Sequence, residues 1–187
     1  MTSKADLRSE LRRRRADYVA AERAGGGLLV PTLMIAEYAA RHLPASGTIA
    51  AYVAQGDEVD PTPLLFQAID RGLTIALPWV ATRAEPMRFH HWFPGDELVP
   101  GPFGLLQPRT DTAELVPDVV FTPLVGFDRR GHRLGQGAGY YDRALARLPN
   151  ARAIGLAWAV QEVDALPFEP WDVPLYGIAT ECEWIGA

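Results

Sequence analysis

Apolar side chains recur at Leu7, Leu11 and Tyr18 within "SKADLRSELRRRRADYVAAERA", a helical spacing that opens at Ser3 and Asp6, placed as a cap, and closes at Gly25-Gly26-Gly27. The outer side of this helix is strongly basic. A second helix is predicted over 32–42, stopped by Pro44 and Gly47. The pattern then changes: "TIAAYV" at 48–53 is apolar throughout and β-branched at its ends, as suits a buried strand. "GDEVDP" reads as a loop, "TPLLFQAIDRG" as a helix with Leu65 and Ile69 on its apolar face, and "LTIAL" at 73–77 as the next strand. Strand, helix, strand is a crossover unit.

Between Pro78 and Pro117 the chain is richer in Pro and Gly. Here "MRFHHWF" alternates as an outer strand does, and "VPGPFGLLQP" reads as a loop. His90 and His91 are adjacent in that strand, so their side chains point to opposite faces and cannot share one metal in regular geometry. Beyond it, "DVVFTPLVGFD" is a buried strand, "YYDRALARL" a helix, "RAIGLAW" a strand and "YGIATECEWI" a final strand. The sum is a three-layer α/β fold, and residues 1–187 show no repeat or linker that would divide them, so one domain is expected.

Composition narrows the function. A net charge of -5 opposes a broad nucleic-acid surface, which works by excess Lys and Arg. An anion site must therefore be local. Cys182 is the only cysteine, so no intrachain disulfide forms and no thiolate zinc site has a partner; a small core residue is the expected role. With no long apolar run and no apolar stretch behind the N-terminal charges, neither a membrane span nor a secretory signal is expected. A cytoplasmic location follows as an expectation.

One stretch carries candidate chemistry. "RRGHRLGQGAGYYDR" at 129–143 sets Gly135, Gly137 and Gly139 at alternate positions between a strand and a helix. Glycines let bare N–H groups converge on phosphate oxygens. The spacing matches neither the P-loop nor the dinucleotide loop, so alone it is equally a tight turn. Arg130 and Arg133 are suited to bidentate phosphate contact, and Asp142, on the helix's first turn, is a hard oxygen ligand for Mg2+ or simply a charge that steadies the helix end.

The stretch "PLVGFDRRGHRLGQGAGYYDR", together with "KADLR", "GDEVDPTPLL", "MRFHHWF…LVPGPFGLLQP" and "AIGLAW…LPFEPWDVPLYGIAT", resembles in order the signature blocks of the 5-formyltetrahydrofolate cyclo-ligase family, also called 5,10-methenyltetrahydrofolate synthetases. That resemblance implies a Rossmann-like fold with a mostly parallel central sheet. It implies ATP- and Mg2+-dependent closure of the 5-formyl group onto N10, yielding the methenyl product, ADP and phosphate. The small-molecule substrate would be 5-formyltetrahydrofolate with or without a polyglutamate tail, handled by a monomer or weak homodimer that engages neither nucleic acid nor membrane.

Carried over position by position, the resemblance places ATP contacts at Lys4, Arg8 and the loop Arg133, Leu134, Gly135, Gln136, Gly137, Ala138, Gly139, Tyr140 and Tyr141. It places Mg2+ ligands at Asp142 and Asp172, and folate contacts at Val53, Glu58, Phe103, Gln136 and Tyr140. Lys4, Arg133 and Tyr140 are the implied catalytic groups. Read without it, Lys4 and Arg8 are a solvated helix face and Glu58 a loop acid; Arg12, Arg13, Arg14 and Arg15 are expected to be solvated in any case. Two departures stand out. Ala138 replaces a frequent Lys or Gly, and Tyr176 replaces a second acid after the metal aspartate and cannot serve as an ordinary Mg2+ ligand. The competing readings are a nucleic-acid-binding relative that lost catalysis and another enzyme using the loop for a sugar phosphate or CoA-type ligand.

Overall fold

The computed structural model describes residues 3–82, 84–102 and 104–187. Helix α1 (Lys4–Gly25) starts on a capping box in which Ser3 and Asp6 satisfy each other's backbone N–H groups. Helix α2 (Leu29–Ala40) begins three residues ahead of its predicted start. Pro31 lies in its first turn, where the missing N–H would have had no helical partner anyway. Strand β1 (Thr48–Ala50), helix α3 (Thr62–Asp70) and strand β2 (Thr74–Trp79) form the expected crossover. Strand β3 (Arg88–His91) is an edge strand, antiparallel to β2. Buried His90 stacks on Trp79 at 4.7 Å.

The structure departs from several of these expectations. The stretch read as a loop at 99–108 contains a hairpin of β4 (Leu98–Pro100) and β5 (Leu106–Pro108), anchored where Gln107 Oε1 accepts from the Val80 N–H at 3.1 Å. After β6 (Val119–Pro123), a small hairpin of β7 (Gly126–Phe127) and β8 (Arg133–Leu134) leads to α4 (Tyr140–Leu145) and β9 (Arg152–Leu156). The last predicted strand is two, β10 (Gly177–Ala179) and β11 (Trp184–Gly186). Thr180 Oγ1 accepts from the N–H groups of Cys182 and Glu183 and turns the chain back on itself. Cys182 sits in that turn, exposed and not in the core.

The main sheet has the order β11-β10-β9-β6-β1-β2-β3, parallel except for its two edges. Alternation along the strands feeds two cores. Ile49, Val119, Phe121 and Ile154 pack toward α1, α2 and α3, while Ala50, Val120, Ala153 and Ile178 pack toward α4. The fold is the predicted three-layer α/β arrangement. Among the described residues no single helix is long and apolar enough to cross a membrane.

Chain order reverses between β1 and β6: from β1 the sheet grows one way to β2, and from β6 the other way to β9 and β10. A crevice opens at such a switch point beyond the carboxyl ends of the strands. This explains why β1 stops at Ala50 when the apolar run continues to Val53. Past Ala51 the backbone leaves the ladder, and Tyr52, Val53 and Ala54 become cavity wall.

Candidate functional site

Two cavities hold the candidate residues. The first, about 480 Å³, is walled by Lys4 and Arg8 from α1, by the glycine loop, and by Asp142, Arg143, Ala146, Trp171 and Asp172. The second, about 590 Å³, is walled by Tyr52, Val53, Glu58, Leu65, Trp92 and Trp158 among others, with Leu28 and Leu29 at one side.

The first cavity is held together by charge. Lys4 and Arg8 share a face of α1, as four-residue spacing demands. Lys4 Nζ lies 3.5 Å from Asp172 Oδ2, and Arg8 Nε donates to the Gly135 carbonyl at 2.9 Å. Arg133, with a side chain only 5% exposed, donates through Nη1 to the Val173 carbonyl and through Nη2 to Asp142 Oδ1. Burial pulls its guanidinium pKa down; the charges of Asp142, Asp172 and Tyr141 oppose that. A fork using both nitrogens is a task for Arg and not for Lys.

The loop needs its glycines unequally. Gly137 has φ +109° and lies under the Arg8 guanidinium; a Cβ there would sit 3.6 Å from Arg8 Cζ. Gly139, at φ +64°, ends the loop in the left-handed region where α4 begins. Gly135 has no positive φ and open space where a side chain would stand. Helix α4 is only six residues long and stops at Leu145, short of the predicted Leu148, with Ala146, Arg147, Pro149 and Asn150 in turns. The cavity's positive character therefore comes from side chains.

A buried aspartate fixes the loop from behind. Asp128, fully buried, accepts through Oδ1 from the N–H groups of Arg130 and His132, and through Oδ2 from the Leu166 N–H and His132 Nδ1, both at 3.0 Å. Since the carboxylate only accepts, His132 Nδ1 carries the proton. Burial alone would raise the Asp128 pKa, but those hydrogen bonds outweigh it and hold the carboxyl below its ordinary value. Asp128 thereby ties the hairpin of β7 and β8 to the segment leading to Asp172. Sequence reading passed it over; an acid ending an apolar strand was the available signal.

That segment ends in a turn, Glu169–Asp172, with Pro170 at its second position. The Asp172 N–H donates to the Glu169 carbonyl and the Glu169 N–H to Asp172 Oδ2, each at 2.9 Å. The turn presents Trp171, 70% exposed, at the cavity rim. Trp171, Arg143 and Ala146 are wall residues that the sequence did not single out.

Glu58 is half-buried in the second cavity. Its Oε2 accepts from the Gln55 N–H at 3.0 Å and its Oε1 from Gln136 Nε2 at 3.1 Å. Burial raises the Glu58 pKa, with the Gln55 N–H, the charge of Arg15 and Gln136 pulling the other way. Gln136 thus stands between the cavities, linking the glycine loop to the wall of the second.

Other expected residues fall as follows. Val53 lines the second cavity. Tyr140 and Tyr141 are half-buried against the α4-side core and line neither cavity; Arg143 Cζ lies 4.9 Å from the Tyr140 ring centroid. Phe103 lies outside the described residues. Arg130 is turned toward Asp128, at 3.9 Å, and lines neither cavity. Tyr176 lies under Arg152 and beside His42, at the sheet edge. The arginine run is not uniformly solvated. Arg13 and Arg14 pair with Asp17 and Glu10 on their own helix, but Arg15, 8% exposed, lies on the Leu11 and Val19 face and donates to the Leu124 carbonyl at 3.5 Å. A four-residue step from Leu11 puts it there.

Comparison with known proteins fits this geometry. The sequence profile of the 5-formyltetrahydrofolate cyclo-ligase family matches residues 1–181. The chain belongs to that family. It is 35% identical over 140 residues to 5-formyltetrahydrofolate cyclo-ligase of Escherichia coli K12, covering 71% of this chain and 77% of that one. With the Mycolicibacterium smegmatis cyclo-ligase it shares 34% identity over 142 residues, 71% and 73% of the two chains. The 5,10-methenyltetrahydrofolate synthetase of Aquifex aeolicus superimposes with TM-score 0.79 and 28% identity, over 98% of this chain and 92% of that one. The family match spans residues 1–181 and the structural match 98% of this chain.

Proposed function

We propose that this cyclo-ligase couples ATP to the conversion of 5-formyltetrahydrofolate into 5,10-methenyltetrahydrofolate, with the nucleotide in the cavity of Lys4, Arg8 and Arg133 and the folate in the cavity of Val53 and Glu58. The observation that carries this reading is the pairing of a cation-walled cavity with an aromatic and acidic one, joined by Gln136.

A formyl amide oxygen is a weak nucleophile and a worse leaving group. Transfer of the terminal phosphoryl group of ATP to that oxygen makes it a phosphate leaving group; N10 then attacks the formyl carbon, and phosphate departs with the oxygen. The protein's part is positioning and charge neutralisation. Lys4, Arg8 and Arg133 oppose the phosphate charge, the loop from Arg133 to Gly139 lies along the chain of phosphates, and Trp171 with Ala146 offers an apolar wall for the base. Glu58 faces the N–H donors of the pterin ring and sets its orientation.

Mg2+ fits the carboxylates present. Among the described residues no three His, Cys, Asp or Glu side chains cluster tightly enough to hold a metal alone. Asp142 and Asp172, on the same cavity wall, would supply the one or two protein oxygens that Mg2+ takes when phosphates complete its shell. Bound there, the ion would neutralise phosphate charge. Asp142 pairs with Arg133 and Asp172 with Lys4, while Arg8 and Arg143 leave the wall positive before any ligand arrives.

Purified protein given 5-formyltetrahydrofolate and MgATP should form a product with the near-ultraviolet absorbance of a methenyl folate. Equal product with ATP withheld, or none with it present, would sink the assignment.

A further inference from the structure

Lys4, Arg8 and Arg12 recur every fourth residue along α1, and each grips a different part of the phosphate side: Asp172, the Gly135 carbonyl and the Gln136 side chain. Arg12 differs from the other two because it lines neither cavity. What it holds is a side chain that reaches onward to Glu58. We propose that Arg12 is a positioning residue that fixes the orientation of the Gln136 amide and thereby makes nucleotide and folate bind cooperatively. The inference rests on the two-cavity reading above.

A guanidinium only donates hydrogen bonds and a carboxylate only accepts them; a primary amide does both, from opposite ends of one plane. Gln136 Oε1 accepts from Arg12 Nη2 at 2.5 Å while its Nε2 donates to Glu58 Oε1 at 3.1 Å. Turning the amide over would set its NH2 against the guanidinium and its oxygen against the carboxylate. Two hydrogen bonds would become two repulsions. Arg12 therefore decides which end of the amide meets Glu58, on a side chain that is otherwise exposed and free to rotate.

Gln136 belongs to the loop that edges the phosphate cavity, and Glu58 to the wall of the other. A ligand that orders the loop presents Gln136 to Glu58, and a ligand that orders Glu58 holds the loop. By linkage the two ligands must then tighten each other by one common factor.

Dissociation constants for ADP and for 5-formyltetrahydrofolate, each measured by calorimetry with and without the other ligand, read that factor without turnover. The wild type should show each ligand tightening the other about fivefold or more. Arg12→Ala should bring the factor close to one while ADP alone binds within about twofold of wild type, since Arg12 does not line its cavity. Arg12→Lys, which keeps a donor, should restore part of it. Exchanging the partners, Glu58→Gln with Gln136→Glu, keeps acceptor facing donor at both contacts and should recover coupling lost in each single variant. Undiminished coupling in R12A, or a double variant no better than the singles, overturns the proposal. Wild-type protein that binds both ligands independently overturns it alone; wild-type protein that binds neither overturns the two-cavity reading as well.

Discussion

The two cavities lie side by side and are built in opposite ways. The cation-walled cavity takes most of its wall from two continuous pieces, the first turns of α1 and the loop from Arg133 to Gly139, and offsets part of its charge internally: Lys4 against Asp172, Arg133 against Asp142. The second cavity has residues 52–65, the loop after β1 and the start of α3, along one side, and gathers the rest from α1, α2, β2, Trp92, β4 and Trp158 beyond β9, with half-buried Glu58 among its polar residues. A polyanion can be met by a short run of cations and backbone, whereas a flat aromatic ligand needs walls on several sides. Local motifs encode the first kind of site, and tertiary structure makes the second.

The comparison can be broken most forcefully at Arg133. Arg133→Ala leaves Asp142 without its buried partner and should cost about 3–5 kcal/mol of stability, with nucleotide-dependent turnover lost; urea titration and the absorbance assay measure both. Arg133→Lys should rescue little, because one ammonium cannot serve Val173 and Asp142 together. A variant as stable as wild type would show that the ion pair is not the cavity's frame.

Asp128→Asn comes next. Two of its four accepted hydrogen bonds lose their acceptor, and destabilisation of about 2–3 kcal/mol is expected. The pH dependence has a definite sign. The folded-state pKa of Asp128 lies below its unfolded value, so its contribution is present above the unfolded carboxylate pKa and disappears as pH falls through the folded one. Melts across the acid range should therefore converge for D128N and wild type.

Glu58 has the opposite sign. Its folded-state pKa is raised, so folding favours the protonated form; that advantage is present below the unfolded pKa and is lost as pH rises through the folded one. Glu58→Gln should thus be at least as stable as wild type at neutral pH. It should still raise the KM for the folate about 10-fold, equivalent to about 1.4 kcal/mol, without moving ADP affinity. Loss of both affinities in equal measure would erase the distinction between the cavities.

The smallest effect is expected at Gly137→Ala. The φ of +109° costs an L residue about 1–2 kcal/mol, and the added methyl lies against Arg8, so ADP affinity should fall about five- to tenfold. Gly135→Ala, with open space and no positive φ, should leave it unchanged.

The same contrast explains what was legible in the sequence. The apolar runs identified the layers, and the glycine stretch with its flanking Arg133 and Asp142 pointed to an anion site. Helix periodicity put Lys4 and Arg8 on one face. What stayed hidden depends on contacts between distant segments: the hairpin of β4 and β5, the turn at Thr180 that splits the last strand, the burial of Arg15 under Leu124, and Asp128 reaching Leu166. Val53 and Glu58 looked like a strand end and a loop acid; only the reversal of strand order between β1 and β6 gives them a cavity to line. Trp171 is hidden for the same reason, since nothing in "EPWD" says which wall the turn will face.

Helix α1 carries its core face and its ligand face on one rigid rod, with Leu11, Arg15 and Val19 buried on the inner side and Lys4 and Arg8 set toward the loop. Each residue of an α-helix advances about 100° and 1.5 Å. One extra residue between Arg8 and Leu11 would therefore swing both cations a quarter-turn away from Gly135 and Asp172 while every buried contact beyond it stayed in place. Substitutions can be absorbed along this helix. A change in its length would unfasten the chemistry and leave the fold standing.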